Sequence, residues 1–108
     1  MIKIENIKIE KIENEKDKKY ITRGLRDYGL SEIVINLALD EFLAKEIINL
    51  IIIKLRKGEK FVEGYLKDEF TCPIYIKQDE DIMKLIFPDP FMRFPWDTQC
   101  QSPYRNQI

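Results

Sequence analysis

One long helix, flanked on both sides by β-patterned sequence, constrains this chain more than any other feature. Asp40 stands as an N-cap and Glu41 lies in the first turn, where the helix dipole favours an anion. The helical pattern runs to about Lys57, with Arg56 and Lys57 at the negative end and Gly58 at C′. Projected at about 100° per residue, Leu43, Ile47, Leu50, Ile51 and Leu55 form one stripe, with Lys45, Glu46, Asn49 and Arg56 opposite. Ile52 falls on the border and Ile53 among the polar residues. A helix apolar over more than half its girth is usually covered on two sides. The pattern therefore predicts a homo-oligomer, a dimer paired through helix 40–57. Cover by the C-terminal tail, or plain exposure of Ile52 and Ile53, is the alternative.

The sequence before the helix has the period of a sheet. Ile2 and Ile4 alternate with polar residues, the phase slips at Glu5-Asn6, and Ile7 and Ile9 alternate again. Such a slip suits a bulge or tight turn. A polar turn at 14–17 and a returning strand at Tyr20–Arg23 complete a hairpin; a short charged helix is the rival reading. Gly24 and Gly29 bracket an irregular turn, and Glu32–Leu37, apolar and β-branched, reads as a central strand. After the helix, strands at 61–70 and 71–76 flank a turn near 67–69. Asp79-Glu80-Asp81 reads as a solvated turn, and Ile82–Phe87 as a last strand. The expected fold is α+β: a mainly antiparallel sheet, the helix packed on one face, and an irregular Pro-rich C-terminal segment.

At 108 residues the chain fits a single domain, 1–108. Eighteen basic against nineteen acidic residues leave a net charge of −1, so no global field favours DNA or an anionic membrane. There is no histidine, which removes the commonest general base and metal ligand. No catalytic role, metal or cofactor is expected. Cys72 and Cys100 have no CxxC partner and read as free thiols. The most apolar stretch, Ile47–Leu55, is far short of the roughly 20 residues that span a bilayer. The first residues lack the apolar core of a signal peptide, so a cytoplasmic location is expected.

Chemistry concentrates at the end of the chain. Residues 82–108 hold four of the five prolines and the single tryptophan. Pro88, Pro90, Pro95 and Pro103 exclude a regular helix or interior strand between them. A stiff loop carrying Phe87, Phe91, Phe94, Trp96 and Tyr104 can cover the core, or it can present rings to a ligand. A base stacked on such a ring gains about 1–3 kcal/mol. Arg93, Arg105 and Arg26 are the candidates to hold phosphate.

Four pieces carry a resemblance: Gly24-Leu25, Gly29-Leu30-Ser31-Glu32, Gly58-Glu59-Lys60-Phe61 and the run from Phe87 to Trp96, Phe-Pro-Asp-Pro-Phe-Met-Arg-Phe-Pro-Trp. The chain resembles an uncharacterised family of small bacterial and phage domains with such motifs. Ser31, Phe87 and Met92 stand where that family carries proline, tryptophan and glycine. The missing glycine implies a different turn at 91–92. In size, AT-rich phage-like composition, expected oligomer and Arg-plus-aromatic tail, the chain is also similar to the Thoeris anti-defence proteins of phages, small oligomers that sequester cyclic ADP-ribose-type signals.

The function expected is non-enzymatic sequestration of a small anionic ligand, a linear or cyclic nucleotide. Its contacts would be Arg26, Phe87, Phe91, Arg93, Phe94, Trp96, Tyr104 and Arg105. A protein-interaction module anchored by the Phe91–Trp96 loop is the alternative. A histidine-free hydrolase using Asp89 and Asp97 is a third reading.

Overall fold

Period-two alternation at the start of the chain folds as a hairpin. The computed structural model describes residues 2–13, 18–66 and 73–107. Strand β1 (Lys8–Glu13) pairs antiparallel with β2 (Lys18–Arg23). The turn expected at 14–17 lies outside the described residues. The phase slip is a 3-10 turn, Ile4–Asn6, so Ile2 and Ile4 lead into the hairpin rather than forming its first strand. A second 3-10 turn, Leu25–Tyr28, lies between Gly24 and Gly29, both at positive φ. At Gly24 only glycine fits, since a Cβ would come 2.5 Å from the Asn6 carbonyl oxygen.

Strand β3 (Glu32–Ile35) leads to helix α1 (Glu41–Arg56). Asp40 Oδ2 accepts the Leu43 N–H at 3.3 Å, the expected N-cap. At the other end Gly58 N–H reaches Leu55 O and Glu59 N–H reaches Lys54 O, a Schellman closure around the positive φ of Gly58. Strands β4 (Gly64–Leu66), β5 (Ile74–Asp79) and β6 (Ile82–Ile86) follow. The turn expected near 67–69 is outside the described residues. The acidic turn at 79–81 joins β5 to β6 as expected.

The sheet runs β1-β2-β3-β6-β5-β4. Four neighbouring pairs are antiparallel, and β3 with β6 is parallel, so the α+β sheet is mixed. The helix covers the face carrying Tyr20, Ile33, Ile35, Ile74, Ile76, Met83 and Leu85. It does so through Ala44, Ile47, Ile48, Ile51 and Ile52. Fully burying an isoleucine contributes about 1.5–3 kcal/mol. This stripe is turned from the expected one. Ile52 is core, while Leu43 and Leu50 are 45% and 37% exposed.

The opposite face carries Val34 of β3, Lys84 and Ile86 of β6, Tyr75 and Lys77 of β5, and Tyr65 of β4, by register and alternation. The Pro-rich segment folds onto part of it. Gln107 fastens the end of the chain: its side chain accepts the Phe87 N–H at 2.7 Å and donates to Phe87 O at 2.6 Å. Residues 104–107 form a 3-10 turn.

Candidate functional site

The aromatics of the tail divide between packing and exposure. Phe87 is buried in the core, and Tyr104 packs against that core from its edge. Phe87 thus offers little surface to a ligand, while Tyr104 stays partly exposed. Phe94 is also buried, and it stacks parallel to Trp96 at 5.0 Å between ring centroids. That stack fixes Trp96 over the outer part of the sheet. Trp96 meets Tyr75 edge-on at 4.9 Å, and Tyr75 meets Tyr65 edge-on at 4.9 Å. Edge-to-face contacts of this kind suit the ring quadrupoles.

These rings form one side of a shallow groove of about 440 Å³, lined by Glu63, Tyr65, Tyr75, Lys77 and Trp96. Trp96 and Tyr65 remain about half exposed, at 48% and 50%. The Glu63 carboxylate accepts the Tyr75 hydroxyl at 3.3 Å and the Gln78 N–H at 3.1 Å. Partial burial, then the neighbouring Glu63 charge, pushes the Tyr75 phenol above its ordinary pKa, so it stays protonated and donating. The groove thus offers ring faces and edges, one cation and one carboxylate.

The expected arginines are placed elsewhere. Arg26 lies 4.0 Å from Asp81 in an exposed pair. Arg105 is exposed on the 3-10 turn of the tail. Arg93 is held by its own loop, its Nε donating to Asp89 Oδ2 at 3.1 Å and its guanidinium lying over the Phe91 ring at 4.8 Å.

Asp89 organises that loop. Its buried carboxylate accepts from the N–H groups of Phe91, Arg93 and Gln101 and from Arg93 Nε. Burial alone would raise its pKa; these donors outweigh burial and hold the carboxyl below its usual range. Four donors on one carboxylate hold the shape of the loop. Asp97 accepts the Gln99 N–H in a turn of its own. Cys100 is a buried free thiol directed at Arg93 O. Burial first, then Asp89, pushes its pKa up, which keeps it protonated. Cys72 lies outside the described residues.

At the tip, Phe91 and Met92 are 66% and 51% exposed. Met92 has a positive φ of 63°.

Among the described residues no group of His, Cys, Asp or Glu converges to hold a metal ion, and no helix is long and apolar enough to cross a membrane. No family profile, curated protein or solved structure matches this chain.

Of the eight residues expected from sequence, Trp96 belongs to the groove and Phe94 supports it from behind. Sequence reasoning missed Glu63, Tyr65, Tyr75 and Lys77. Tyr75 fell within an expected strand, 71–76, while Lys77 lay just beyond it; the observed strand runs Ile74–Asp79. Tyr65 joins them through the β4–β5 register, Tyr65 opposite Tyr75, which no local pattern reveals.

Proposed function

We propose that this chain is a non-enzymatic binding protein that sequesters a small anionic ligand with a planar ring, of the nucleotide class. It would act in the manner of a phage anti-defence sponge in the bacterial cytoplasm. The observation that carries this reading is the half-open groove in which Trp96 and the two tyrosines stand beside Lys77. A flat ring laid against Trp96 covers apolar surface that now faces water, and stacking of this kind is worth about 1–3 kcal/mol. Glu63 can accept an amine or a hydroxyl of the same guest.

Trp96 is the single tryptophan, so its fluorescence reports on this site alone. Titration with AMP, GMP and cyclic AMP should quench it saturably and raise the melting temperature. A ligand at a hundred times its Kd adds about 2.7 kcal/mol. Absence of both responses across the panel at millimolar concentration overturns the reading.

The oligomer is part of the proposal. Phe42, Leu43, Leu50 and Ile53 are all exposed on α1. Run antiparallel against a copy about a centre between Glu46 and Asn49, the helix sets Phe42 near Ile53 and Leu43 near Leu50, a self-complementary face.

A second reading, an interaction module anchored by the Phe91–Trp96 loop, is favoured by the exposed Phe91-Met92 tip on a loop pinned by Asp89. Large apolar side chains fixed rigidly in solvent suit an anchor entering a partner's pocket. A stoichiometric protein captured from host lysate, retained after nuclease treatment and lost with Phe91→Ala, would favour it over the first.

A further inference from the structure

Lys77 of β5 and Lys84 of β6 are directly opposite each other in the antiparallel ladder, on the face of the sheet away from the helix. Both are half-buried. Neither ammonium group makes an ion pair or hydrogen bond with any described residue. Asp79, on the same face two residues beyond Lys77, makes no ion pair with either lysine. Like charges directly opposite on a sheet destabilise it. Half-burial sharpens the cost by raising their repulsion and removing part of their hydration.

The surroundings point the same way. The cross-strand row through the two lysines continues as Val34, Ile21 and Glu10. The adjoining row is Ile86, Tyr75 and Tyr65, and its two tyrosines line the aromatic groove. Lys77 itself lines that groove. From Tyr75 to Lys77 is two residues along one strand, about 7 Å. That is the reach from a nucleotide's base to its phosphate.

We infer that Lys77 and Lys84 form a two-strand seat for a phosphate group whose attached ring lies against Tyr75 and Trp96. The two ammonium groups match a dianion, and neutralisation by the guest relieves the repulsion that the empty sheet carries. The seat replaces the arginines expected from sequence, and it rests on the reading of the groove as a ring site.

The test uses adenosine, AMP and inorganic pyrophosphate as probes, with Lys77→Gln, Lys84→Gln and, as a control on the same face, Lys8→Gln. Either of the first two variants should weaken AMP binding by about tenfold, the worth of a hydrogen bond to a charged group. Adenosine affinity should not change, and Lys8→Gln should behave as wild type. Without any probe, Lys77→Gln and Lys84→Gln should melt higher than wild type, and saturating AMP should reverse that order. If AMP and adenosine bind equally and the glutamines change nothing, the seat is overturned while the ring site stands. If pyrophosphate alone binds, and loses affinity in both variants, the seat stands and the ring site falls. If no probe binds, both fall.

Discussion

Arg93 Nε donates to Asp89 Oδ2 at 3.1 Å, so the arginine most exposed to notice in the sequence is engaged within its own loop. The same carboxylate ties Phe91, Arg93 and Gln101 to Asp89, which makes the loop sensitive to acid. The folded pKa of Asp89 lies below its unfolded value. Its contribution to stability is therefore complete above the ordinary carboxylate value, near pH 4, and is lost as pH falls through the lower folded value. Asp89→Asn should be less stable than wild type in urea at pH 7 and should lose less on acidification to pH 3. Parallel pH profiles for the two proteins would contradict this role.

Met92 holds a left-handed backbone without the glycine that such a conformation favours. A left-handed L-residue costs roughly 1–2 kcal/mol, and glycine adds about 0.5–1 kcal/mol of unfolded-state entropy. Met92→Gly should therefore raise stability slightly, by under about 1 kcal/mol, since the side chain is half exposed and packs little. Met92→Val, β-branched, should lower it. Chemical denaturation of both variants checks the order Gly above Met above Val.

Glu32 is buried, and its carboxylate accepts from Thr22 Oγ1 and from the N–H groups of Gly24, Leu25 and Arg26. Thr22 Oγ1 in turn accepts the Ile33 N–H at 2.8 Å. Glu32→Leu leaves those donors without an acceptor, at about 1–3 kcal/mol or more. Thr22→Val breaks the same network from the other side. A double-mutant cycle should show coupling of about 0.5–3 kcal/mol; additive losses would mean that the two side chains act independently.

The Glu32 and Asp89 networks show what was legible and what was not. The quoted pieces Gly24-Leu25 and Gly29–Glu32 meet in space, because Glu32 reaches back to the N–H groups of Gly24 and Leu25. Asp89 and Arg93 meet likewise within the last piece. These pieces were visible as motifs, yet their work is holding turns, which spacing alone does not distinguish from binding. Local signals did better. The Asp40 cap, the Gly58 closure, the first hairpin and the acidic turn all follow from near neighbours in sequence. The helix stripe was misjudged because Ala44, small and uninformative on a wheel, belongs to the buried face, where it is wholly buried. The parallel pairing of β3 with β6, and the Tyr65–Tyr75 and Lys77–Lys84 juxtapositions, depend on register between separated segments. Amino-acid pattern does not encode that directly.

The rotated stripe leaves a face whose cover can be tested. Leu43 and Leu50 lie outside the buried set of Ala44, Ile47, Ile48, Ile51 and Ile52, so charging them should spare the fold. Exposed substitutions of this kind usually change stability by under about 0.5 kcal/mol. Sedimentation velocity should find the wild-type chain as a dimer and the double variant Leu43→Glu, Leu50→Glu as a folded monomer with the same circular dichroism. A wild-type chain that sediments as a monomer at micromolar concentration would sink the helix-paired dimer. So would a double variant that keeps the wild-type mass, since four added glutamates beside the two Glu46 side chains of the seam repel each other and lose hydration together.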